Sequence, residues 1–253
     1  MIIKRIIPCL LLRNNGLVKT VRFRDSVYIG DPINAVRIFN EKEVDELIFL
    51  DIDATRENKK LPLEMIAKLA SECFMPFAYG GGISSLKQIE EIIKSGAEKI
   101  VINTTACLIK DFIREAARRF GNSTIVVSID VKKSFIGGNS VYISGGRRDT
   151  GRDPVEYARE MEDQGAGEIF LNSIERDGMM TGYDIELIRS VSDAVKVPVI
   201  ACGGAGNLND LKLAVNEGGA SAAAAGSLFV FHGKRRAVLI TYPSYKEISE
   251  LFN

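Results

Sequence analysis

The stretch MPFAYGGGISSLKQIEEIIKSGAEKIVINTTA, residues 75–106, is matched in pattern by VPVIACGGAGNLNDLKLAVNEGGASAAAAGSLF, residues 197–229. Each copy runs from a short apolar segment through a glycine-rich turn into an amphipathic segment, and then into a second apolar segment. Short apolar runs favour buried strands, whereas a period near 3.6 residues favours a helix. Each copy is therefore predicted to form one β–α–β unit.

Two more pairs of segments repeat along the chain with nearly the same spacing. GDPINAVRIF, from Gly30, resembles RDPVEYAREM, from Arg152, and DELIFLDI, from Asp45, resembles GEIFLNSI, from Gly167. The first pair places an aspartate before a proline, which favours a helix start because aspartate caps the helix and proline fits its first turn. Equivalent residues lie 122 or 123 positions apart: Asp31 and Asp153, Glu46 and Glu168, Gly80 and Gly203. The chain is predicted to consist of two similar halves.

Apolar runs and periodic segments alternate from one end of the chain to the other. Strands are predicted at 5–11, 46–51, 75–79, 99–102, 125–130, 168–172, 198–201 and 220–225. Helices are predicted at 32–43, 60–73, 84–95, 109–119, 153–165, 184–194 and 207–217. Eight strands with crossover helices in a chain of 253 residues favour a closed barrel over an open sheet. We predict an α/β fold, a (β/α)8 TIM barrel built from two fused half-barrel repeats, as a single domain over residues 1–253.

The composition excludes several classes of function. Basic and acidic residues balance at 33 each, so the chain has no basic surface for nucleic acid and no polybasic membrane anchor. The N-terminal MIIKRIIPCLLL is interrupted by charges and too short to span a bilayer, so it is interpreted as strand one of a cytoplasmic protein. Four widely spaced cysteines and one histidine predict neither a metal site nor a disulfide frame, and we expect no cofactor.

Glycine-rich loops follow the third and seventh predicted strands, one in each half. Glycine lets the backbone approach a ligand closely, and N–H groups at a helix N-terminus attract phosphate. A small polar pair also follows the fourth and the eighth strand. The candidate phosphate-binding residues are Gly81, Gly82, Asn103 and Thr104 in one half, and Gly203, Gly204, Gly226 and Ser227 in the other. Two such cradles suit a ligand with a phosphate at each end; the alternative is that these glycines only form tight βα turns.

Longer stretches of the sequence resemble the HisF family, the cyclase subunit of imidazole glycerol phosphate synthase. The resemblance rests on KRIIPCL, GDP, ELIFLDI, GGGI, AEKIVINTTA, FGNSTIVVSID, GAGEIFLNSIERDGMMTGYD and VPVIACGGAG, and it covers nearly the whole chain. It implies a bisphosphate-type ligand at the barrel mouth. It also implies a partner, a HisH-type glutaminase that supplies ammonia from the opposite face.

The resemblance implies catalytic roles at the exits of strands one and five, where the family has paired aspartates. Asp130 occupies the second position, but Leu11 stands at the first, and the internal repeat independently pairs Leu11 with Asp130. Ring closure and carbon–nitrogen cleavage need one group that takes a proton and one that gives a proton. Because leucine can do neither, Leu11 itself is expected to be a buried apolar residue that marks the position of the lost acid.

The resemblance also implies substrate contacts in two loops. Lys19 lies in the long loop 12–31 after strand one, at the position of a family lysine expected on a mobile lid. Asp177 and Gly178, in the segment ERDG, match the family's loop after strand six. Each has a plainer interpretation, because loop lysines are commonly solvated and an Asp–Gly pair is ordinary turn chemistry.

Four charged residues stand at or beside the beginnings of strands one, two, four and six. They are two cations and two anions: Arg5, Lys99, Glu46 and Glu168. In the HisF family these positions form a salt-bridged gate at the barrel floor, through which ammonia enters. The alternative is that these charges are solvated, or are kept only for stability.

The retained gate and cradles, beside the missing acid, leave three hypotheses. The leading one is a HisF-type subunit of a glutamine amidotransferase, which accepts ammonia, binds a phosphorylated ligand and serves the amidation of a surface-polysaccharide sugar. IPCLLL and SLFVFHGKRRAVLITYP resemble HisF-like paralogues associated with that role. The second hypothesis is an active cyclase of histidine biosynthesis in which another group replaces the aspartate. The third is a non-catalytic scaffold that uses its phosphate cradles for assembly.

Overall fold

Eight parallel strands close on themselves to form a barrel. The computed structural model describes residues 4–57, 59–134, 137–233 and 235–252. In chain order, barrel strands one to eight are Arg5–Arg13, Leu47–Asp51, Phe77–Gly80, Lys99–Ile102, Ile125–Lys133, Glu168–Ser173, Val199–Cys202 and Ala222–Ala225. Each strand pairs in parallel with the next, and strand eight pairs back onto strand one. The predicted (β/α)8 barrel is confirmed.

Helices connect these strands around the outside of the barrel, and the repeat extends to their caps. The helices that match predicted segments are Pro32–Glu41, Leu63–Glu72, Leu86–Lys94, Phe112–Phe120, Pro154–Asp163, Ile185–Ser192 and Leu208–Asn216. Asp31 and Asp153 cap the first and fifth of these helices as predicted, each accepting from backbone N–H groups. Ser85 and Asn207 form capping boxes on the third and seventh. The helices of these two equivalent pairs therefore begin with the same local chemistry.

The prediction of a long loop over 12–31 was wrong. Strand one continues to Arg13, and Gly16–Val21 pairs antiparallel both with it and with Arg24–Gly30. Arg22 and Phe23 form the two-residue turn with φ of 52° and 60°. Such a turn is normally marked by Asn-Gly or Asp-Gly, so the sequence carries no hairpin signal here. We call residues 16–30 the roof hairpin.

Several other elements have no counterpart in the sequence prediction. They are a hairpin after strand five (Asn139–Ile143 with Arg148–Asp149), short helices Thr104–Leu108 and Ser227–Val230, a tail hairpin (Phe231–His232 with Ala237–Val238) and helix Tyr245–Phe252. The tail is anchored near the start of strand one, because the Tyr242 hydroxyl donates to the Ile6 carbonyl at 2.8 Å. No helix within the described ranges is long and apolar enough to cross a membrane.

The buried apolar residues form two separate clusters. The larger one lies between the strands and the surrounding helices. The smaller one consists of Ile7, Cys9, Leu11, Val18, Ile48, Ala78, Val101, Val126, Phe170, Ile200, Cys202, Ala222 and Ala224. Since successive side chains of a strand point to opposite faces, this smaller cluster fills the barrel interior. It separates the floor of the barrel from its mouth.

Candidate functional site

The four charged residues predicted for the floor form a closed ring at the start of the strands. Arg5 donates from Nη1 to Glu46 Oε2 and from Nη2 to Glu168 Oε1, both at 2.7 Å. Lys99 Nζ contacts Glu46 Oε1 and Glu168 Oε2, both at 3.0 Å. Both glutamates are buried, at 3% and 8% exposure. Each cation therefore bridges both anions, and the ring closes the lower end of the interior.

A cavity of about 500 Å³ lies at the other end, where the strands end. All thirteen residues that the sequence analysis assigned to the mouth line it: Leu11, Lys19, Gly81, Gly82, Asn103, Thr104, Asp130, Asp177, Gly178, Gly203, Gly204, Gly226 and Ser227. The volume is that of a pocket for a small organic ligand. The predicted residues therefore surround one space, although their roles toward a ligand stay predictions.

Asp130 is a buried carboxyl group of this cavity. It is 8% exposed, and its Oδ1 accepts from the Ser128 hydroxyl at 3.4 Å. Burial raises the pKa of Asp130 to about 7, with the Asp177 carboxylate adding to the rise and the Ser128 hydroxyl opposing it. A group that titrates near neutral pH can both take and give a proton, which is the requirement for general acid–base chemistry.

Leu11 faces the same cavity from strand one and is 9% exposed. It belongs to the apolar interior cluster and pairs with Val18 of the roof hairpin and Leu50 of strand two. The cavity wall formed by strand one is therefore apolar at Leu11. The wall formed by strand five carries the carboxyl group of Asp130. The expectation that Leu11 is a buried apolar residue agrees with this position.

Lys19 points into the cavity instead of into solvent. It is 7% exposed, and its Nζ donates to the Cys9 carbonyl at 2.6 Å. A Cβ at position 226 would clash with this ammonium group, so Gly226 leaves the space that Lys19 occupies. The ammonium group therefore lies directly beside the second predicted phosphate cradle.

The roof hairpin packs against the loop that carries Asp177 and Gly178. The Thr20 hydroxyl donates to Asp177 Oδ2 at 3.2 Å, and the Arg22 N–H donates to the Asp177 carbonyl at 2.9 Å. Gly178 has φ +71°, and a Cβ there would clash with the Thr20 carbonyl. These contacts hold the hairpin across the mouth of the barrel. A solvated loop would make no such contacts.

The side chains of the first cradle are committed to protein contacts. Asn103 Nδ2 donates to the Ser128 carbonyl at 3.0 Å, and the Thr104 hydroxyl accepts from the Ser144 N–H at 3.0 Å. These bonds attach the end of strand four to strand five and to the hairpin that follows it. Since the side chains of Asn103 and Thr104 are already hydrogen-bonded, a ligand could bind only to the backbone at the start of helix Thr104–Leu108.

The glycines of both cradles also have packing reasons. A Cβ on Gly82 would lie 2.9 Å from the Ala54 Cβ, and one on Gly203 would lie 2.6 Å from the Ser173 carbonyl oxygen. Both residues have positive φ, +67° and +87°. The tight-turn interpretation accounts for these glycines without a ligand, so phosphate binding needs its own test.

The comparisons with known proteins identify the family. The sequence profile described as Histidine biosynthesis protein matches residues 5–235. A Pseudomonas aeruginosa protein with the provisional name imidazole glycerol phosphate synthase subunit hisF2 is 55% identical over 248 residues, covering 98% of this chain and 99% of its own. The chain belongs to the HisF family. A Leptospira interrogans relative, with the provisional name imidazole glycerol phosphate synthase subunit HisF, is 47% identical over 249 residues and covers 98% of each chain. An Alkaliphilus metalliredigens protein named imidazole glycerol phosphate synthase subunit HisF is 44% identical over 232 residues, or 92% of each.

The sequence analysis missed several cavity residues of this HisF-family barrel. Asp53, 4% exposed, forms ion pairs with Arg13 at 2.6 Å and Arg56 at 2.8 Å, and all three line the cavity. No motif marks them: Arg13 is the last residue of strand one, and Asp53 and Arg56 lie in irregular backbone beyond strand two. Asn172 also lines the cavity and is 5% exposed. Alternation along strand six from Glu168 would have found it, since every second residue points into the barrel.

In the described part of the chain, no group of three or more His, Cys, Asp or Glu side chains is arranged to hold a metal ion.

Replacing Asp130 by asparagine is expected to stabilise this HisF-family protein above neutral pH. The folded state binds the Asp130 proton more tightly than the unfolded state, so stability falls as pH rises from the ordinary pKa of 3.8 to about 7. A pKa shift of this size changes the free energy of unfolding by at most about 4 kcal/mol. We expect a gain of roughly 2 kcal/mol, because the asparagine side chain is also poorly solvated at this position. Urea unfolding of both proteins at acidic and alkaline pH measures the difference. Equal stabilities at alkaline pH would contradict the raised pKa.

Proposed function

We propose that this chain is the barrel subunit of a glutamine-dependent amidotransferase. In this proposal it accepts ammonia at its floor, binds a phosphorylated ligand at its mouth and serves the amidation of a surface-polysaccharide sugar. The observation that carries the proposal is the placement of two features at opposite ends of one interior: the ring of four charges and the cavity with Asp130. Residues 1–253 would act as one domain in the cytoplasm.

The floor ring has properties suited to an ammonia gate. The formal charges of its two cations and two anions sum to zero. Each of the four contacts is a separate ion pair, which can open by side-chain rotation. The interior above the ring is apolar and contains the small side chains Ala78, Ala222 and Ala224. Neutral ammonia enters such a medium far more readily than ammonium, because an unpaired buried charge is costly.

A HisH-type glutaminase is the proposed partner at this floor. The relatives are named as subunits, which supports a partner chain. Phe74 lies just before strand three at the same end of the barrel, and it is 87% exposed. An aromatic side chain of this exposure is typical of an interface anchor that becomes buried on binding.

At the mouth, the proposed ligand carries phosphate groups held by the two cradles. Lys19 would supply positive charge at the second cradle, where its ammonium group lies beside Gly226. Asp130 would serve as the single acid–base group, and Asp177 and Gly178 would contact the ligand from the loop after strand six. With Leu11 at the exit of strand one, the facing exits of strands one and five present a single carboxyl group, that of Asp130.

An active cyclase of histidine biosynthesis is the second candidate function. The retained Asp130 and the names of the relatives favour it. The apolar Leu11 argues against it, because the cyclase reaction needs a proton donor and a proton acceptor together. Activity with free ammonia as the nitrogen source distinguishes the two candidates.

Glutamine hydrolysis by the HisH-type partner tests the proposed function. Adding the barrel is expected to raise the rate of glutamate formation roughly 5- to 150-fold, the usual range of coupling between two sites. Phe74→Asp is expected to abolish the rise, because it places a charge in the proposed interface. Tyr28→Asp, which alters a residue of the roof hairpin that is 66% exposed, is the matched control and should leave the rise intact. Absence of any complex or stimulation would refute the proposal, and stimulation that no phosphorylated ligand alters would favour the scaffold hypothesis.

A further inference from the structure

Two cysteine side chains meet inside the barrel, although they lie far apart in the sequence. Cys9 is on strand one and Cys202 ends strand seven, and strand eight lies between these two strands. Both residues belong to the interior apolar cluster and line the cavity, and they are 4% and 7% exposed. Their thiols are hydrogen-bonded to each other. The acid–base and phosphate-binding groups proposed for the mouth do not include this pair.

The surroundings of the pair favour a thiolate at Cys9. The hydrogen bond from Cys202 lowers the pKa of the Cys9 thiol against the effect of burial, and the Lys19 ammonium group lowers this pKa further. The carboxylates of Asp177 and Asp130 oppose the shift. The same hydrogen bond, together with burial, raises the pKa of Cys202. Cys202 is therefore the donor of the shared proton, and Cys9 is its acceptor.

The spacing of the strands decides how these two thiols can be bridged. Neighbouring strands lie about 4.8 Å apart, so the Cα atoms of Cys9 and Cys202, two strands apart, are separated by roughly 9 Å. A disulfide requires a Cα separation of at most about 7 Å, so it could form only if the backbone moved. A metal–thiolate bond is about 2.3 Å long, so a two-coordinate ion would hold the two sulfur atoms about 4.6 Å apart. A small rotation of the side chains from their hydrogen-bonded positions gives this separation.

The number of ligands and the nearby charge indicate the kind of ion. Zinc takes four ligands in structural sites, and no third His, Cys, Asp or Glu side chain joins the pair within the described ranges. Thiolates are soft ligands that select Cu(I), an ion that is stable with two of them. Two thiolates and one Cu(I) carry one negative charge. The Lys19 ammonium group, whose Nζ donates to the Cys9 carbonyl at 2.6 Å, neutralises it.

We propose that Cys9 and Cys202 form a two-coordinate site for a soft monovalent cation, Cu(I). Binding forms two sulfur–copper bonds and releases the two thiol protons to solvent, and the copper is neither oxidised nor reduced. This inference goes beyond the proposed function and does not depend on it. Because both cysteines belong to the interior cluster between the floor and the mouth, a bound ion would obstruct passage from one end of the barrel to the other.

Transfer of Cu(I) from its coloured complex with bathocuproine disulfonate, in the absence of oxygen, tests the inference. The reduced wild-type protein is expected to withdraw one Cu(I) per chain and to develop an ultraviolet thiolate-to-copper charge-transfer band. Cys9→Ser and Cys202→Ser are each expected to bind Cu(I) at least about 100-fold more weakly, because each variant loses one of only two ligands. X-ray absorption at the copper edge of the wild-type complex is expected to show two sulfur neighbours.

The other two cysteines supply matched controls. Cys73 and Cys107 are partly buried and pack against the outer cluster, so Cys73→Ser and Cys107→Ser should bind Cu(I) like the wild type. No transfer to the wild type, or undiminished transfer to Cys9→Ser and Cys202→Ser, would overturn the inference. Loss of binding in Cys73→Ser or Cys107→Ser would also overturn it, because it would place the copper elsewhere. Circular dichroism shows whether each variant is folded, and the sulfur count at the copper edge decides the question on the wild type alone.

Discussion

Leu11→Asp is expected to give this barrel ammonia-dependent cyclase activity on the substrate of imidazole glycerol phosphate synthase, which the wild-type chain is expected to lack. The substitution returns a carboxyl group to the strand-one wall, facing the cavity that Asp130 already lines. Two carboxyl groups in different environments can hold opposite protonation states, as ring closure requires. A positioned acid–base group contributes about 10²- to 10⁴-fold, and we expect a gain in that range.

The assay uses high ammonium salt as the nitrogen source, so that no glutaminase is needed. Leu11→Asn is the control for polarity and size, and it should remain inactive because it cannot transfer a proton. The double variant Leu11→Asp with Asp130→Asn should also be inactive. Turnover by the wild-type protein at a rate near that of Leu11→Asp would show that the leucine does not mark a lost reaction, and it would favour the cyclase of histidine biosynthesis.

Glu168→Gln in the floor ring is expected to destabilise the fold strongly. It removes two ion pairs of 2.7 and 3.0 Å at once and leaves Glu46 as the only anion between Arg5 and Lys99. Breaking a buried ion pair costs about 3–5 kcal/mol, and we expect about 3 kcal/mol because the two cations keep some contact with water. Urea unfolding followed by circular dichroism measures the loss of unfolding free energy.

Glu90→Gln is the matched control for the floor ring. Glu90 also forms two ion pairs, with Lys94 and Arg119, both at 2.6 Å, but these pairs lie on the outer surface. Exposed ion pairs are screened by solvent, so Glu90→Gln should leave the free energy of unfolding nearly unchanged. Equal losses of unfolding free energy in Glu168→Gln and Glu90→Gln would mean that the ring stabilises the fold no more than exposed ion pairs do. A complex that still forms with Glu168→Gln but leaks ammonia into solution would support its role as a gate.

The sequence predicted the barrel well because its signals are local and repeated. Each strand is a short apolar run, and the aspartate–proline starts at Asp31 and Asp153 are real helix caps. The floor ring could also be predicted, since charges at strand starts necessarily meet at one end of a parallel barrel. The repeat helped further, because a position such as Glu46 could be checked against its equivalent, Glu168.

Other features depend on contacts that no local pattern encodes. The roof hairpin turns at Arg22 and Phe23, which adopt positive φ without the usual asparagine or glycine. The burial of Lys19 follows from that hairpin and from the space left by Gly226. The Arg13–Asp53 pair joins the exits of two strands through irregular backbone. These features arise from tertiary packing, which overrides the solvated loop that residue types alone suggest.

The roof hairpin has a consequence for how the chain is made. Thr20 and Arg22 find their partners at Asp177, in the opposite half of the sequence. While the ribosome is still extending the first half, the hairpin can pair with strand one but lacks its contacts at Asp177, and Lys19 has no strand eight beside it. The mouth can therefore take its final form only after strand eight has closed the barrel. A half-barrel intermediate would carry its charged floor residues from the start, but it would have no finished pocket.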